Sequence, residues 1–227
     1  LPMNKKIFQQ QAQQIGVLLD DAQLDQFALY HKELLSWNEK INLVSAQSAR
    51  DVVGRHFLDS LAVIPFLDRQ TKTLPDIGSG AGFPGLPVKI ARPDLEVHLL
   101  ESHRKKVSFL KHIIRILHLE KTCVIHERAE KAAINSLRRK CHYDVVVSRA
   151  TFALLDFALL SSHFLAAEGK FIALKGENVE SEVIHCVNNT TVSSIFELFQ
   201  YDNNADPSGK KGKIIVGEKL FPHKKTF

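Results

Sequence analysis

A glycine-rich segment at residues 78–85 constrains the fold of this 227-residue chain more than any other feature. It reads Gly-Ser-Gly-Ala-Gly-Phe-Pro-Gly, follows the short apolar run 74–77 and precedes a helical pattern that ends near Pro93. Glycine allows a tight turn between a strand and a helix, and it lets backbone N–H groups approach a ligand. The segment therefore predicts a strand–loop–helix unit with a ligand site at its turn.

The sequence after this loop alternates between short apolar runs and helical patterns. The predicted strands are 96–101, 122–125, 144–148 and 170–175. The predicted helices are 104–117, 130–139, 152–165 and 180–187. Strands that alternate with helices form a parallel sheet with helices on both faces, so we predict a doubly wound α/β fold.

The end of the chain breaks this alternation. Residues 192–201 and 212–220 are both predicted as strands, with only a polar loop between them. Two such strands pair antiparallel. A mostly parallel, seven-stranded sheet closed by a C-terminal antiparallel hairpin is the methyltransferase version of the doubly wound fold rather than the plain dinucleotide-binding version.

Residues 1–73 have a different pattern, without the alternation typical of strands. Helices are predicted at 10–19, 22–37 and within 51–67. Leu24, Phe27 and Leu34 lie near helical spacing in the second of them. We therefore predict an N-terminal helical cap over 1–73 that packs on a domain formed by 74–227.

An acidic residue, Glu101, ends the strand that follows the glycine loop. A carboxylate at this place accepts hydrogen bonds from both hydroxyls of a ribose, while the backbone at Gly80 approaches the ligand. The loop and the acid together predict an adenosine-containing cofactor. A Walker phosphate loop is excluded because no Gly-Lys-Ser/Thr follows the glycines.

Three functions fit such a cofactor site. The first is a methyltransferase, because the C-terminal hairpin favours S-adenosylmethionine as the cofactor. An NAD-dependent oxidoreductase is an alternative, since a pyrophosphate binds at a helix N-terminus. The other alternative is a non-catalytic module that binds RNA or a nucleotide.

Lys and Arg outnumber Asp and Glu by 30 to 25, and the whole excess lies in one stretch. Residues 101–141 hold eleven basic and four acidic side chains. By itself such a stretch is typical of a solvated helix face. A basic surface of this kind attracts a polyanion, and it gains meaning only beside a second signal.

The cysteines and the apolar segments bear on the compartment. Cys123, Cys141 and Cys186 form no C-x-x-C pair, which argues against a disulfide framework and a zinc site. No window approaches the ~18 uninterrupted apolar residues of a membrane span, and the first residues lack the apolar core of a signal peptide. We predict a cytoplasmic monomer with no membrane association and no metal.

Several motifs resemble the bacterial RsmG (GidB) family. The most specific is the string at 76–87, Asp-Ile-Gly-Ser-Gly-Ala-Gly-Phe-Pro-Gly-Leu-Pro. The others are Asn42-Leu-Val-Ser45, His56-Phe-Leu-Asp-Ser-Leu61, Leu100-Glu-Ser102, Arg128-Ala-Glu130, Ser148-Arg-Ala150 and Leu174-Lys-Gly176. The resemblance extends over about residues 20–220. It implies a class I S-adenosylmethionine-dependent methyltransferase that modifies guanine N7 in 16S ribosomal RNA, either naked or within the small ribosomal subunit.

The resemblance also implies roles for individual residues. Gly78 and Phe83 line the cofactor pocket, Ala129 and Glu130 flank the adenine, and Arg149 lies at the edge where the methyl group is transferred. Gly80 and Glu101 join this set through the backbone and ribose arguments given above. Because the resemblance implies an RNA substrate, the basic stretch is expected to contact RNA phosphates, and the predicted RNA-binding residues are Arg104, Lys105, Lys106, Arg138 and Arg139. The segment 192–212 matches no motif of the family, so contacts with the substrate there stay open.

The chemistry of guanine N7 predicts that no side chain acts as a general acid or base. N7 carries an exposed lone pair and no proton, so the enzyme mainly has to align the reactants. Arg149 is the best candidate for substrate orientation, with a structural pairing to Glu130 or Asp144 as the alternative. His56 and Asp59 share a face of a predicted helix, and we expect them to anchor that helix to the core, with a catalytic pair as the alternative.

Overall fold

The computed structural model describes residues 2–139, 142–207, 209 and 211–220. Its centre is a seven-stranded sheet in the order β3-β2-β1-β4-β5-β7-β6. The strands are β1 (Thr73–Ile77), β2 (Glu96–Glu101), β3 (Thr122–His126), β4 (Tyr143–Arg149), β5 (Leu165–Gly176), β6 (Phe196–Asn203) and β7 (Gly212–Lys219). β1 to β5 pair in parallel, and β7 pairs antiparallel with both β5 and β6. The predicted fold class is confirmed.

Helices precede the sheet and connect its strands. Before β1 lie α1 (Lys5–Gln14), α2 (Asp21–Ile41), α3 (Ala46–Ala49), a π-helical turn (Val53–Leu58), α4 (Asp59–Leu61) and a 3₁₀ turn (Ile64–Phe66). After β1 lie α5 (Gly85–Ala91), α6 (Arg104–Ile116), α7 (Ala129–Arg139), α8 (Leu154–Ser162), α9 (Glu180–Val187) and α10 (Thr190–Ile195). Among the described residues, no helix combines the length and the apolar character needed to cross a bilayer.

The first two helices differ from their predicted bounds for local reasons. The first helix was predicted at 10–19 and lies at Lys5–Gln14, because Asn4 caps α1 by accepting the N–H of Ile7, and Gly16 follows its end with a φ of +80°. α2 begins after Asp20, whose side chain forms a capping box with Gln23. It continues beyond the predicted end to Ile41.

The C-terminal part also departs from the prediction. Residues 190–195 form α10 rather than the beginning of a strand, because the side chain of Asn189 caps this short helix by accepting the N–H of Val192. The helix predicted over 152–165 ends at Ser162, since β5 begins at Leu165. The hairpin itself is present as predicted.

The two faces of the sheet pack against different helices. Val145 and Val147 belong to a core shared with α1, α2, α5 and α6, whereas Val146 between them belongs to a core shared with α7, α8, α9 and α10. This alternation is the period of a strand buried on both faces. The helices before β1 therefore bury their apolar side chains in the same core as one face of the sheet.

Candidate active site

The glycine loop between β1 and α5 has a backbone that only glycine adopts readily. Gly78 has a φ of +75° and Gly82 a φ of +98°. A Cβ atom at Gly78 would lie 2.5 Å from Thr151 Cγ2, and one at Gly82 would lie 2.3 Å from Leu86 Cδ1. The carbonyl of Leu100 fixes the start of the loop by accepting the N–H groups of Gly78 (2.9 Å) and Ser79 (3.0 Å). Steric contact and hydrogen bonding thus fix the loop's shape.

Glu101 lies buried at the end of β2 and holds the loop through its carboxylate. Its Oε2 accepts the N–H of Gly80 at 2.9 Å, and its Oε1 accepts the N–H of His103 at 2.7 Å. An ionised carboxylate has about four lone-pair sites. Glu101 therefore keeps acceptor capacity for two hydroxyl groups while it supports the backbone of the loop.

A cavity of about 530 Å³ opens where β1, β2, β3 and β4 end. Its lining includes all seven predicted cofactor residues, namely Gly78, Gly80, Phe83, Glu101, Ala129, Glu130 and Arg149. The carboxyl ends of parallel strands are where open α/β sheets bind ligands. The structure brings these residues together in one cavity, and their contact with a cofactor stays a prediction.

Sequence reasoning missed several residues of this cavity. Leu43 and Val44 reach it from the loop after α2, and Thr151 and Phe152 reach it from the loop after β4. Thr151 immediately follows the string around Arg149, so its place after a strand end was a usable signal. Leu43 and Val44 belong to the string at 42–45, but nothing local to a helix end shows which strand it will face, so the sequence did not place them at the cavity.

Arg149 ends β4 beside the cavity and is held by the helices that precede the sheet. Its Nη1 donates to the carbonyl of Arg55 at 2.9 Å and to Asp59 Oδ2 at 3.3 Å. Its guanidinium carbon lies 4.8 Å from the centre of the Phe83 ring, within cation–π range. The alternative pairing of Arg149 with Glu130 or Asp144 was wrong, since its described ion pair is with Asp59.

Aromatic rings from the N-terminal helices pack against the glycine loop. The ring of His56 stacks on Phe83 with centres 4.7 Å apart, and Tyr30 stacks on the same ring at 5.6 Å. The Tyr30 hydroxyl donates to the carbonyl of Ala81 in the loop, and burial raises the pKa of this hydroxyl well above its usual value. His56 thus anchors the core as expected, whereas Asp59 contacts Arg149 instead.

Asp76 is a buried carboxyl group behind the loop. Its Oδ2 accepts the N–H of Gly85 at 2.9 Å, and its Oδ1 has no hydrogen-bond partner among the described residues. Burial raises the pKa of Asp76 to about 7, against the opposing effects of the Gly85 N–H and the Arg149 charge. Sequence reasoning placed this residue in a motif and gave it no role.

The predicted RNA-binding residues are partly described. Arg104 and Lys105 are exposed on the first turn of α6, and Lys106 beside them lines the cavity. The side chains of Arg138 and Arg139 lie outside the described residues. Of the described residues predicted to bind RNA, Lys106 therefore lines the cavity, and Arg104 and Lys105 precede it on the surface of α6.

The two described cysteines, Cys123 and Cys186, lie outside this cavity. Burial raises the pKa of the Cys123 thiol and raises that of Cys186 to about 11, so both remain protonated thiols near neutral pH. Neither lines the cavity. Cys141 lies outside the described residues.

Comparison with known proteins shows the family to which this chain is similar. The sequence model of the GidB family, described as rRNA small subunit methyltransferase G, matches residues 23–206. The Ribosomal RNA small subunit methyltransferase G of Syntrophus aciditrophicus is 44% identical over 179 residues, which cover 78% of this chain and 74% of that protein. The protein of the same name from Streptococcus gordonii is 37% identical over 221 residues, covering 96% and 92%.

Solved structures share the fold at low sequence identity. A predicted O-methyltransferase from Agrobacterium tumefaciens has a TM-score of 0.56 at 18% identity, over 72% of this chain and 79% of its own. Precorrin-6y C5,15-methyltransferase from Geobacter metallireducens has a TM-score of 0.52 at 14% identity, over 79% and 93%. At such identities the likeness shows the methyltransferase fold alone. The match of sequence is the stronger finding, and by it the chain belongs to the GidB family of rRNA small subunit methyltransferases G.

Proposed function

We propose that this protein transfers a methyl group from S-adenosylmethionine to N7 of a guanine in 16S ribosomal RNA. The observation that carries the proposal is the single cavity into which the glycine loop, Glu101 and Arg149 converge. The names of the relatives support ribosomal RNA as the substrate. They speak against the two alternatives, an NAD-dependent oxidoreductase and a non-catalytic RNA- or nucleotide-binding module.

The residues present fit S-adenosylmethionine. The cavity lies within the usual volume range of small-molecule sites, and its glycine cradle leaves no room for a Cβ at Gly78. In this proposal Glu101 accepts the two ribose hydroxyls, while Ala129 and Glu130 flank the adenine. Gly78, Gly80 and Phe83 line the rest of the pocket. When bound, S-adenosylmethionine supplies a methyl group activated by a positively charged sulfur.

The protein's own part in the reaction is alignment. Guanine N7 carries a lone pair and no proton, so no side chain has to remove one, and we assign no general acid or base. Holding the two reactants in line supplies the rate acceleration instead. Arg149 lies beside Phe83 at the end of β4, where its guanidinium orients the substrate.

The basic residues give the RNA a place to bind. Lys106 lines the cavity, Arg104 and Lys105 are exposed on the same turn of α6, and in this proposal Arg138 and Arg139 extend the same surface. Contacts of this kind with phosphates weaken steeply as salt rises. The target guanine has to leave its stack to reach the cavity, as bases do in enzymes that modify them.

We also infer the setting in which the protein works. A substrate of ribosomal RNA, free or in the small subunit, implies the cytoplasm, and we expect a monomer without membrane or metal. We further propose that 1–73 is a helical cap on a methyltransferase domain formed by 74–227. The helices of this cap all precede β1, which begins at Thr73 within one residue of the proposed boundary, and this order supports the division.

The test is methyl transfer from labelled S-adenosylmethionine to small ribosomal subunits and to protein-free 16S RNA, both lacking the modification. The RNA is digested and its nucleosides are identified by mass spectrometry. We expect 7-methylguanosine, and comparison of the two substrates shows whether ribosomal proteins are needed. Methyl on another atom would overturn the mechanism without a base, and no transfer at all would overturn the proposed function.

The cofactor is tested separately by thermal stabilisation. A ligand that binds only the folded protein raises its melting temperature as the ligand concentration exceeds Kd. S-adenosylmethionine and its demethylated product should each raise the melting temperature, and NAD should not. Stabilisation by NAD alone would favour the oxidoreductase alternative.

A further inference from the structure

We propose that Asp59 and Asn203 are positioning residues that hold the Arg149 guanidinium for methyl transfer, and this proposal rests on the proposed function. The three side chains come from three separate parts of the fold. Asp59 begins α4 among the N-terminal helices, Asn203 ends β6 in the C-terminal hairpin, and Arg149 ends β4 between them.

The Asp59 carboxylate joins the other two side chains. Its Oδ2 accepts Arg149 Nη1 at 3.3 Å, and its Oδ1 accepts Asn203 Nδ2 at 2.7 Å. Asn203 is only 4% exposed, and its own Oδ1 accepts the N–H of Ala205 at 3.2 Å. That second hydrogen bond fixes which way the amide faces, so its N–H₂ group is directed at Asp59.

The π-helical turn supplies the second acceptor for Arg149. Its residue Arg55 presents a backbone carbonyl to Arg149 Nη1 at 2.9 Å. π-helical turns are rare and are frequent at functional sites. The ring of His56 in the same turn stacks on the ring of Phe83, which the Arg149 guanidinium also contacts. One short segment thus sets both the position of Arg149 and the surface beside it.

The described hydrogen bonds of Arg149 leave part of its guanidinium for a ligand. Both come from Nη1, whereas a guanidinium carries five N–H donors in a fixed planar fork. Holding one nitrogen against Asp59 and Arg55 therefore fixes the direction of the others. Because Arg149 lines the cavity, the remaining donors serve the substrate without a loss of side-chain freedom at the moment of binding.

The test is a double-mutant cycle between Asp59→Asn and Arg149→Ala. The rate of methyl transfer to RNA is measured under single-turnover conditions, with saturating cofactor and with protein in excess over RNA. Slow transfer by a variant is then still detected as labelled methyl in the RNA. If Asp59 acts through Arg149, Asp59→Asn lowers the rate about tenfold in the wild-type background and less than about twofold in the Arg149→Ala background. Asn203→Ala is expected to show the same dependence on Arg149.

The control is Asp202→Asn, which makes the same chemical change beside Asn203 but breaks an exposed ion pair with Lys213. We expect it to leave the rate unchanged. Equal losses from Asp59→Asn in both backgrounds would show a merely structural role and overturn the proposal, as would no loss in either. If Asp59→Asn does not fold, Asn203→Ala carries the cycle.

Failure of the proposed function is recognised separately, because then the wild-type protein transfers no methyl group to RNA. In that case the affinity for the RNA replaces the rate in the same cycle. A loss of affinity on Asp59→Asn that disappears in Arg149→Ala would still support the positioning role, and additive losses would overturn it.

Discussion

The cavity has two walls that differ in burial. The loop wall, residues 76–85, is almost wholly inside the protein: Asp76, Ser79 and every residue from 81 to 85 are buried. The β3 wall, residues 127–130, lies at the edge of the sheet, where Arg128 and Glu130 are exposed. Two surfaces of one cavity are thus built from different kinds of structure.

The walls also differ in what supports them. The loop wall is held by the Leu100 carbonyl, by Glu101 and by Tyr30 from α2. The β3 wall is supported locally, by hydrogen bonds and ion pairs of Glu127 with residues of α7. The loop wall is therefore part of the core, and a change there affects folding and binding together. In the β3 wall the two effects should separate.

The largest expected effect concerns the buried charge behind the loop wall. Burial raises the pKa of Asp76 to about 7, so between about pH 4 and pH 7 the folded protein binds more protons than the unfolded chain. This contribution therefore lowers stability as pH rises through that window. Asp76→Asn should gain free energy of unfolding over the wild type across it, by up to about 4 kcal/mol at pH 8. Urea unfolding at a series of pH values measures the difference.

Asp94→Asn is the control for this pH series. The hydrogen bond from Arg92 lowers the pKa of Asp94, so its stabilising contribution is present above the usual carboxyl range and is lost only in acid. The difference from the wild type should therefore stay constant above about pH 5. An Asp76→Asn difference that is equally constant would show that no charge is buried behind the loop wall.

The second effect separates crowding from backbone strain in the loop wall. Gly82 and Gly16 both have positive φ, but a Cβ at Gly82 would lie 2.3 Å from Leu86 Cδ1, whereas at Gly16 nothing lies within 4 Å. Gly16→Ala should lower the free energy of unfolding by about 1 kcal/mol from strain alone. Gly82→Ala adds the effect of overpacking and should lower it by about 3 kcal/mol. Equal losses in denaturant unfolding would contradict a tightly packed loop wall.

The third effect tests the hydrogen bonds that join the loop wall to β2. Glu101→Ala removes the acceptor of the Gly80 and His103 N–H groups and of the proposed ribose hydroxyls. Affinity for S-adenosylhomocysteine should fall by about 1.5–3 kcal/mol, as measured by titration calorimetry. Glu101→Gln keeps one acceptor oxygen at this position, now in an amide group, and should lose less affinity. Unchanged affinity in a folded Glu101→Ala protein would contradict the assignment of Glu101 to the ribose hydroxyls.

The smallest effect belongs to the β3 wall. Glu130→Ala should change the free energy of unfolding by less than about 0.5 kcal/mol, because the side chain is exposed. Cofactor affinity should nonetheless fall about threefold if Glu130 flanks the adenine. Glu168→Ala, exposed on β5 away from the cavity, is the matched control and should change neither quantity. A large loss of stability in Glu130→Ala would remove the distinction between the two walls.

Features that neighbouring residues determine could be predicted from the sequence, whereas contacts between distant segments could not. The glycine loop and Glu101 were predicted because a strand, a turn and a strand end appear in order along the chain. The Arg149–Asp59 pair spans 90 residues and the Asn203–Asp59 pair spans 144, and no periodicity shows such contacts. The alternative pairing of Arg149 with Glu130 or Asp144 was wrong for this reason.

Local signals also failed where two of them competed. Residues 190–195 are rich in β-branched and hydroxyl side chains, which favour a strand, but the Asn189 cap allows a short helix there. At the N-terminus the run of glutamines gave no clear periodicity, and Asn4 and Gly16 set the ends of α1 instead. Caps and positive-φ glycines were more informative than apolar spacing in both segments.

The position of β1 between β2 and β4 has a consequence for the rate at which the chain folds. Ser148 on β4 donates to the carbonyl of Ile77 on β1 across 71 residues of sequence, so the centre of the sheet closes only after a long loop is ordered. Helices such as α2 form from neighbouring residues. On dilution from denaturant, helical circular dichroism should therefore recover before the ability to bind S-adenosylhomocysteine, and the interval between them measures how late the cavity is completed.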